Sequence, residues 1–150
     1  MLRMTRLTDY GILVLAHLAS APFEHRFTTR ELAEKSGLPL CTVVKILKAL
    51  AGAGLLLSWR GPSGGYQLSR APGSISLRVI IRALEGPIEV APGVSRSADG
   101  ASLGGCNWQL VNDALCSTLD GISLLDVLRG SPVASSMMTI GANRVSGKEA

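Results

Sequence analysis

Apolar residues recur at spacings of three and four along much of the chain, which is the period of an amphipathic α-helix. The first such stretch covers about residues 7–18 and ends before Pro22. The same period predicts helices at about 7–20, 29–36, 39–51, 77–84, 107–119 and 124–128. Aromatic residues make up only 4% of the chain, so Leu, Val, Ile and Ala must supply most of the core. The pattern therefore predicts a mostly helical fold.

The second and third predicted helices are joined by a short turn. Thr28 and Glu31 have the spacing of a capping box at the start of the second helix, and Gly37 stands at its end as a left-handed cap. Pro39 suits the first turn of the third helix because proline has no N–H to satisfy. Two helices connected through a glycine-containing turn are typical of a helix-turn-helix.

A predicted β-hairpin follows these two helices directly. Residues 55–60 and 66–69 have the composition of strands, and residues 61–65 that of the turn between them. A hairpin in this position is the wing of a winged helix-turn-helix domain. We therefore expect a mostly α fold with a small β-hairpin. Its predicted parts are a winged helix-turn-helix domain (1–87), a sensor-like loop (88–106), a long dimerisation helix with a short terminal helix (107–130) and a disordered tail (131–150).

Positive charge is concentrated in the first part of the chain. The net charge is +4, but residues 1–70 hold nine Lys and Arg against four Asp and Glu, whereas residues 71–150 hold six against seven. A basic region suits a polyanion such as nucleic acid, although ordinary solvated surface charge gives the same count. No stretch approaches the roughly 18 apolar residues of a membrane span, and no export signal is evident. We expect a cytoplasmic protein without a membrane partner.

The outer face of the third helix and the hairpin carry the candidate DNA contacts. Thr42 suits a base edge or a thymine methyl, and Lys45 and Lys48 suit guanine acceptors or phosphates. Arg60 stands among residues of little bulk, which suits the narrow minor groove. A solvated helix face and a purely structural glycine turn remain alternatives. The predicted DNA-binding residues are Thr5, Arg6, Thr29, Pro39, Thr42, Lys45, Lys48, Arg60, Gly61, Pro62, Ser63, Gly64, Gly65 and Tyr66.

Several segments resemble one known family. Residues 6–11 (RLTDYG), the helix-turn-helix through Leu50 and, above all, residues 60–66 (RGPSGGY) resemble the IscR-like (Rrf-two) family of bacterial transcription regulators. Residues 80–88 and 108–112 resemble its Suf-type iron–sulfur assembly regulators, and the resemblance covers about residues 3–128. It implies a homodimer on a palindromic double-stranded DNA operator, with the wing arginine and its glycine neighbour in the minor groove. The long helix would cross its two-fold mate through the predicted dimer-interface residues Trp108, Val111, Leu115 and Leu119.

The cysteines depart from the pattern of that family. Many members hold an iron–sulfur cluster through three cysteines in the loop before the dimerisation helix, but this loop has Cys106 together with Ser95, Ser97 and Ser102. A serine hydroxyl is a poor substitute for thiolate at iron. We expect no cofactor, although the resemblance keeps a cluster open. Three alternatives stay open: Cys106 is a residual metal ligand, the loop senses a thiol or a small molecule, or the ligand positions of the loop have been altered. The effector and the role of the serines stay open.

No catalytic constellation is recognisable in the sequence, so we do not expect an enzyme. Cys41 and Cys116 are expected to be ordinary packing or surface residues. The principal hypothesis is a sequence-specific DNA-binding transcription regulator that acts as a homodimer, linked through the family to iron–sulfur or redox homeostasis. The alternative is a winged-helix protein-interaction module whose basic face binds an acidic protein. Binding to duplex DNA at low salt discriminates between the two.

Overall fold

The computed structural model describes residues 4–90 and 108–129. The helices there are α1 (Arg6–Ser20), α2 (Thr29–Ser36), α3 (Leu40–Gly52), α4 (Leu77–Glu85), α5 (Trp108–Asp120) and α6 (Leu124–Leu128). Between α3 and α4 lie the strands β1 (Leu56–Trp59) and β2 (Gly65–Leu68) and a short 3-10 turn (Pro72–Ser74). The strands form an antiparallel hairpin in which Leu56 faces Leu68 and Trp59 faces Gly65. The predicted fold class, mostly helical with one small hairpin, is confirmed.

The turn between α2 and α3 follows the predicted capping chemistry. The Thr28 hydroxyl accepts a hydrogen bond from the Glu31 N–H at 3.2 Å, and the Glu31 carboxylate accepts one from the Thr28 N–H at 2.7 Å. This backbone hydrogen bond, with a second from the Thr28 hydroxyl, lowers the pKa of the Glu31 carboxyl. Gly37 ends α2 in the left-handed region at φ 68°, as glycine at a helix end commonly does. The entry angle of α3 is thereby fixed.

Several predicted boundaries differ from the structure by one residue, and three of them have local reasons. Pro39 precedes α3 rather than occupying its first turn, and its backbone is extended at φ −56° and ψ 139°. Leu55 was expected to begin the first strand, but its N–H donates to the Leu50 carbonyl and so belongs to the exit from α3. Gly65 was expected in the turn, whereas it pairs with Trp59 as the first residue of β2.

The main core lies behind α3 and includes residues from both ends of the described chain. The predicted apolar stripe of α3 is fully buried, with no exposed surface on Val43, Ile46, Leu47 or Leu50. These side chains pack with residues of α1, α2 and the hairpin, chiefly Val14, Leu15, Leu18, Leu32, Leu56 and Leu68. Leu124 and Leu128 of α6 belong to the same cluster. The terminal helix is therefore part of the winged-helix core.

A second, smaller cluster joins α5 to α4. It consists of Ile81, Ile88, Cys116 and Leu119, with Leu77 and Leu115 packed against it. An ion pair of 2.6 Å between Arg78 and Asp120 spans the same seam. None of the described helices is both long and apolar enough to cross a membrane. Most of the predicted sensor-like loop (91–106), including Cys106 and Ser95, Ser97 and Ser102, and the predicted tail (131–150) lie outside the described residues.

Candidate nucleic-acid interface

The side of α3 opposite its buried stripe is open to solvent. Lys45 and Lys48 are exposed on this side, three residues apart, and Thr42 is half-buried. Because three residues are nearly one helical turn, the two ammonium groups project in similar directions. Both lysines are where the sequence predicted them, on the outer face of the second helix of a helix-turn-helix.

The same face also carries apolar side chains that the sequence analysis missed. Val44 is 47% exposed and Leu40 is 52% exposed, and Cys41 is exposed beside them. The spacing of Leu40, Cys41 and Val44 by three and four residues places them on one side of α3. Cys41 was expected on this outer face, whereas Leu40 and Val44 belonged neither to the predicted buried stripe nor to the predicted DNA contacts.

The wing loop is a five-residue turn, 60–64, between the paired ends of β1 and β2. The Gly64 N–H donates to the Gly61 carbonyl at 2.9 Å, and Gly61 has φ +95°. A Cβ on Gly64 would lie 2.5 Å from the Trp59 carbonyl oxygen, so no side chain fits there. These glycines are thus explained by the geometry of the turn itself. Arg60, Pro62 and Ser63 remain exposed around it.

The base of the wing is held by a segment between α1 and α2. Phe27 pairs with Tyr66 through two backbone hydrogen bonds of 2.9 and 2.7 Å, which adds a third extended segment beside β2. The Arg26 guanidinium lies 4.1 Å from the centre of the Trp59 ring and donates to the Ser63 carbonyl at 3.3 Å. Arg26 therefore connects the β1 end of the hairpin to its loop, within cation–π range of the indole.

Gly65 is required by this third segment. A Cβ at this position would lie 2.7 Å from the Phe27 carbonyl oxygen. The buried position of Gly65 and the pairing of Tyr66 with Phe27 place these two residues at the base of the wing. They were predicted as DNA contacts together with the loop; Gly65 is buried and Tyr66 half-buried, and their contact with DNA stays a prediction.

The start of α1 is tied to the end of α4. One carboxylate oxygen of Glu85 accepts three hydrogen bonds: from the Thr5 N–H (2.9 Å), the Thr5 hydroxyl (2.6 Å) and the Thr8 hydroxyl (2.6 Å). Partial burial opposes the charged form, but these hydrogen bonds outweigh it and lower the pKa of the Glu85 carboxyl. Nearby, Gly11 lies so close to Leu84 that an added Cβ would collide with its side chain. The donors of Thr5 are thus directed at protein, whereas Arg6 is exposed.

The predicted dimer-interface residues fall into two groups. Trp108 is 39% exposed and Val111 is 46% exposed, both in the first turn of α5. Leu119 is only 9% exposed and belongs to the second cluster, against which Leu115 also packs. Half of the predicted stripe therefore packs within the single chain.

The described residues do not fit a three-cysteine cluster. No group of three or more metal-binding side chains occurs among residues 4–90 and 108–129. Cys41 is exposed on α3, while Cys116 is buried in the seam between α4 and α5. In the sequence, Cys106 is the one cysteine between α4 and α5, so this loop lacks the three thiolates that such a cluster requires.

The arrangement of a helix-turn-helix, an outer face bearing lysines and a following hairpin defines a winged-helix DNA-binding protein. The family model "Rrf2: Iron-dependent Transcriptional regulator" matches residues 4–130. The chain therefore belongs to the Rrf2 family of transcriptional regulators, which is the IscR-like family that the sequence resembles. This confirms the hypothesis of a DNA-binding transcription regulator over that of a protein-interaction module.

Relatives and solved structures agree with this assignment. The chain is 40% identical over 88 residues to an rrf2-like HTH-type transcriptional regulator of Rhodobacter capsulatus, which covers 59% of each protein. It is 31% identical over 130 residues to the HTH-type regulator slr0846 of Synechocystis, covering 84% of this chain and 87% of that protein.

Two structures extend the likeness over most of the fold. CymR, the global cysteine regulator of B. subtilis, superposes with a TM-score of 0.65 at 30% identity, over 85% of this chain and 96% of its own. IscR of T. potens superposes with a TM-score of 0.60 at 31% identity, over 89% of this chain and 90% of its own.

Proposed function

We propose that this protein binds a palindromic operator as a homodimer, with α3 of each protomer in the major groove and each wing at the adjacent minor groove. The observation that carries the proposal is the exposure of Lys45, Lys48 and Arg60 on α3 and on the wing loop that follows it. All three side chains are free of acidic partners among the described residues.

The charge of this region supports a polyanionic partner. Residues 35–84, which include α3 and the whole wing, contain seven Lys and Arg and no Asp or Glu. Lysine and arginine contacts to phosphates release condensed counterions, so the affinity should fall steeply as salt rises. Such contacts fix the register of the protein but carry no sequence information. Selectivity must come from base contacts made by α3 and from the wing.

In this proposal the wing contacts DNA through Arg60, and its glycines shape the turn. The geometry of the turn and the contact with Phe27 account for Gly61, Gly64 and Gly65 without any reference to DNA. Among residues 4–90 and 108–129 the Arg60 side chain makes no ion pair, and a guanidinium is suited to the negative potential of a narrow minor groove. We give Thr5 an indirect role, because its donors bind Glu85, and assign the phosphate contact at α1 to Arg6.

The dimer would form through the first turn of α5. Trp108 and Val111 expose large apolar surfaces, although Leu115 and Leu119 of the same helix pack on their own chain. A two-fold dimer presents its two recognition helices to half-sites about one helical turn apart, as a palindromic operator requires. Burial of Trp108 and Val111 between protomers would remove both from water.

We also propose that regulation proceeds without a three-cysteine iron–sulfur cluster. The loop between α4 and α5 contains one cysteine, Cys106, and Cys41 and Cys116 lie on different helices and differ in exposure. Protein purified without oxygen should be colourless and free of iron by elemental analysis. Brown protein with stoichiometric iron would overturn this part of the proposal.

The DNA-binding part of the proposal is tested by selection of bound duplexes from a random-sequence pool, followed by fluorescence anisotropy in a salt series. We expect an enriched inverted repeat and a plot of log Kd against log salt with a steep slope. A pool with no enriched sequence, together with no binding to duplex at low salt, would contradict it.

A further inference from the structure

We infer that Val44 reads the 5-methyl group of a thymine in the operator, with Leu40 completing an apolar contact at the N-terminal part of α3. The inference rests on the proposed function and goes beyond it, because it names a specificity-determining residue and the base that this residue selects. It concerns one feature of α3, the exposed apolar patch formed by Leu40, Cys41 and Val44.

The exposure of this patch is not an incomplete packing of the fold. All four residues of the opposite stripe, Val43, Ile46, Leu47 and Leu50, are fully buried, so the core side of α3 is complete. Val44 nevertheless leaves 47% of its surface, and Leu40 52%, in contact with solvent. Lys45 is the next residue after Val44. Lys48 lies four residues after Val44 and therefore on the same side of the helix. The patch is therefore continuous with the positively charged part of the helix.

The chemistry of the patch limits what it can recognise. Side chains of valine and leucine neither donate nor accept hydrogen bonds, and a thiol does so weakly. In the major groove, every base presents hydrogen-bonding groups, whereas an apolar group is presented by thymine alone through its methyl. A G·C pair placed against Val44 would have its acceptors or its amino donor removed from water without a partner, which is unfavourable. An A·T pair with the thymine methyl facing Val44 is the favourable alternative.

The surrounding charge favours DNA over a protein as the occupant. A protein without acidic groups that covered Leu40 and Val44 would desolvate Lys45 and Lys48 without anionic partners, which is costly. Membership of the Rrf2 family of transcriptional regulators favours DNA over an acidic protein. Duplex DNA supplies both kinds of partner, because phosphates line the groove in which thymine methyls project. Charge complementarity thus identifies a groove with A·T pairs as the surface that fits this face.

The direct test replaces thymine by deoxyuridine, which lacks the 5-methyl group. Each thymine of the selected operator is replaced in turn, and Kd is measured by anisotropy. We expect each half-site to contain one sensitive thymine. Replacing that single thymine should raise Kd about fourfold, the ratio that corresponds to one methyl group withdrawn from an apolar contact. The other replacements should have smaller effects. An operator that tolerates deoxyuridine at every thymine would overturn the inference.

A protein variant then tests whether Val44 is the residue that contacts this methyl group. Val44→Ala changes both protomers of the proposed dimer, so it should weaken binding to the thymine operator by about sixteenfold or more. Deoxyuridine at the sensitive position should then weaken it no further. Leu125→Ala is the matched control, since Leu125 is 44% exposed on α6, away from α3. Equal sensitivity of native protein and Val44→Ala to deoxyuridine would contradict the role of Val44.

If the native protein selects no sequence at all, the proposed function has failed. If it selects a sequence but its affinity does not depend on the thymine methyl groups, only this inference has failed.

Discussion

The α3–wing region and helix α5 differ in how much of their apolar surface is buried within one chain. Four residues of α3 are fully buried, and the wing is held by strand pairing, by Phe27 and by Arg26. In α5, by contrast, Cys116 and Leu119 are the buried residues, while Trp108 and Val111 stay exposed. The buried residues of α3 and the contacts of the wing lie within one chain, whereas Trp108 and Val111 stay exposed among residues 4–90 and 108–129.

This difference separates two kinds of exposed apolar residue. Val44 is exposed in a region whose core is complete, and it lies next to lysines, so a charged ligand is the partner that fits it. Val111 is exposed on a helix that lacks any Lys or Arg, so a second apolar surface fits it better. Under the proposed function, the first kind contacts DNA and the second contacts another protomer.

The largest effect is expected from a charge in the α5 surface. Val111→Asp should convert the dimer to monomers in sedimentation experiments, because a carboxylate would be buried against the apolar side chains of the partner. Loss of the second half-site contact should then weaken operator binding about a hundredfold or more. The folded monomer should persist, since Val111 lies outside both buried clusters.

Gln109→Asp is the control for that variant. It adds the same charge in the same turn of α5, but two residues away and therefore on nearly the opposite side of the helix. We expect it to remain dimeric and to keep its operator affinity. Monomers from Gln109→Asp, or dimers from Val111→Asp, would show that the two sides of α5 were assigned wrongly.

Glu85 ends α4, which packs against both α3 and α5, and its carboxylate binds the start of α1. Glu85→Gln should lower the free energy of unfolding by about 1–2 kcal/mol at neutral pH, because three hydrogen bonds to a charged acceptor become weaker. The pKa of Glu85 is lower in the folded state than in the unfolded state. Its contribution is therefore complete above the ordinary value of a glutamate and is lost as the pH falls through the lowered folded value.

Urea unfolding as a function of pH measures this contribution. The difference in stability between native protein and Glu85→Gln should be constant near neutrality and should shrink in the acid range. A difference that does not depend on pH would mean that the carboxylate charge makes no contribution there.

A smaller effect is expected at the base of the wing. Arg26→Gln removes the guanidinium from the Trp59 ring and should cost about 0.5–1 kcal/mol in stability. The indole N–H resonance of Trp59, assigned with a Trp108→Phe variant, should shift in the NMR spectrum. Arg70→Gln also removes one exposed positive charge and should leave this resonance in place. An unchanged Trp59 resonance in Arg26→Gln would contradict the stacking.

Much of the α3–wing region was predictable because it depends on short-range patterns. The spacing of Val43, Ile46, Leu47 and Leu50 indicates the buried side of one helix, and all four are buried. The capping pair and Gly37 act within a few residues of one another, so their chemistry is visible in the sequence. The hairpin was predicted for the same reason, although its glycines proved to have packing causes as well.

What the sequence did not reveal depends on contacts between distant residues. Glu85 reaches Thr5 across 80 positions, and Arg26 reaches Ser63 across 37. No local period links such pairs. Phe27 stands alone as an apolar residue just before the capping box, which is a weak signal for the strand-like pairing that it makes with Tyr66. The exposure of Val44 was missed because periodicity reports apolar character and does not distinguish a core from a recognition surface.

The most direct test of the account concerns Arg60, since the wing and α3 are proposed to act together on duplex DNA. Operator affinity is measured by anisotropy for Arg60→Ala and, as the control, for Arg70→Ala, which removes an exposed arginine beyond β2. We expect Arg60→Ala to weaken specific binding by about 1–3 kcal/mol, as for a lost base contact, and Arg70→Ala to have a much smaller effect. Equal operator affinity of Arg60→Ala and the native protein would contradict the proposed role of the wing.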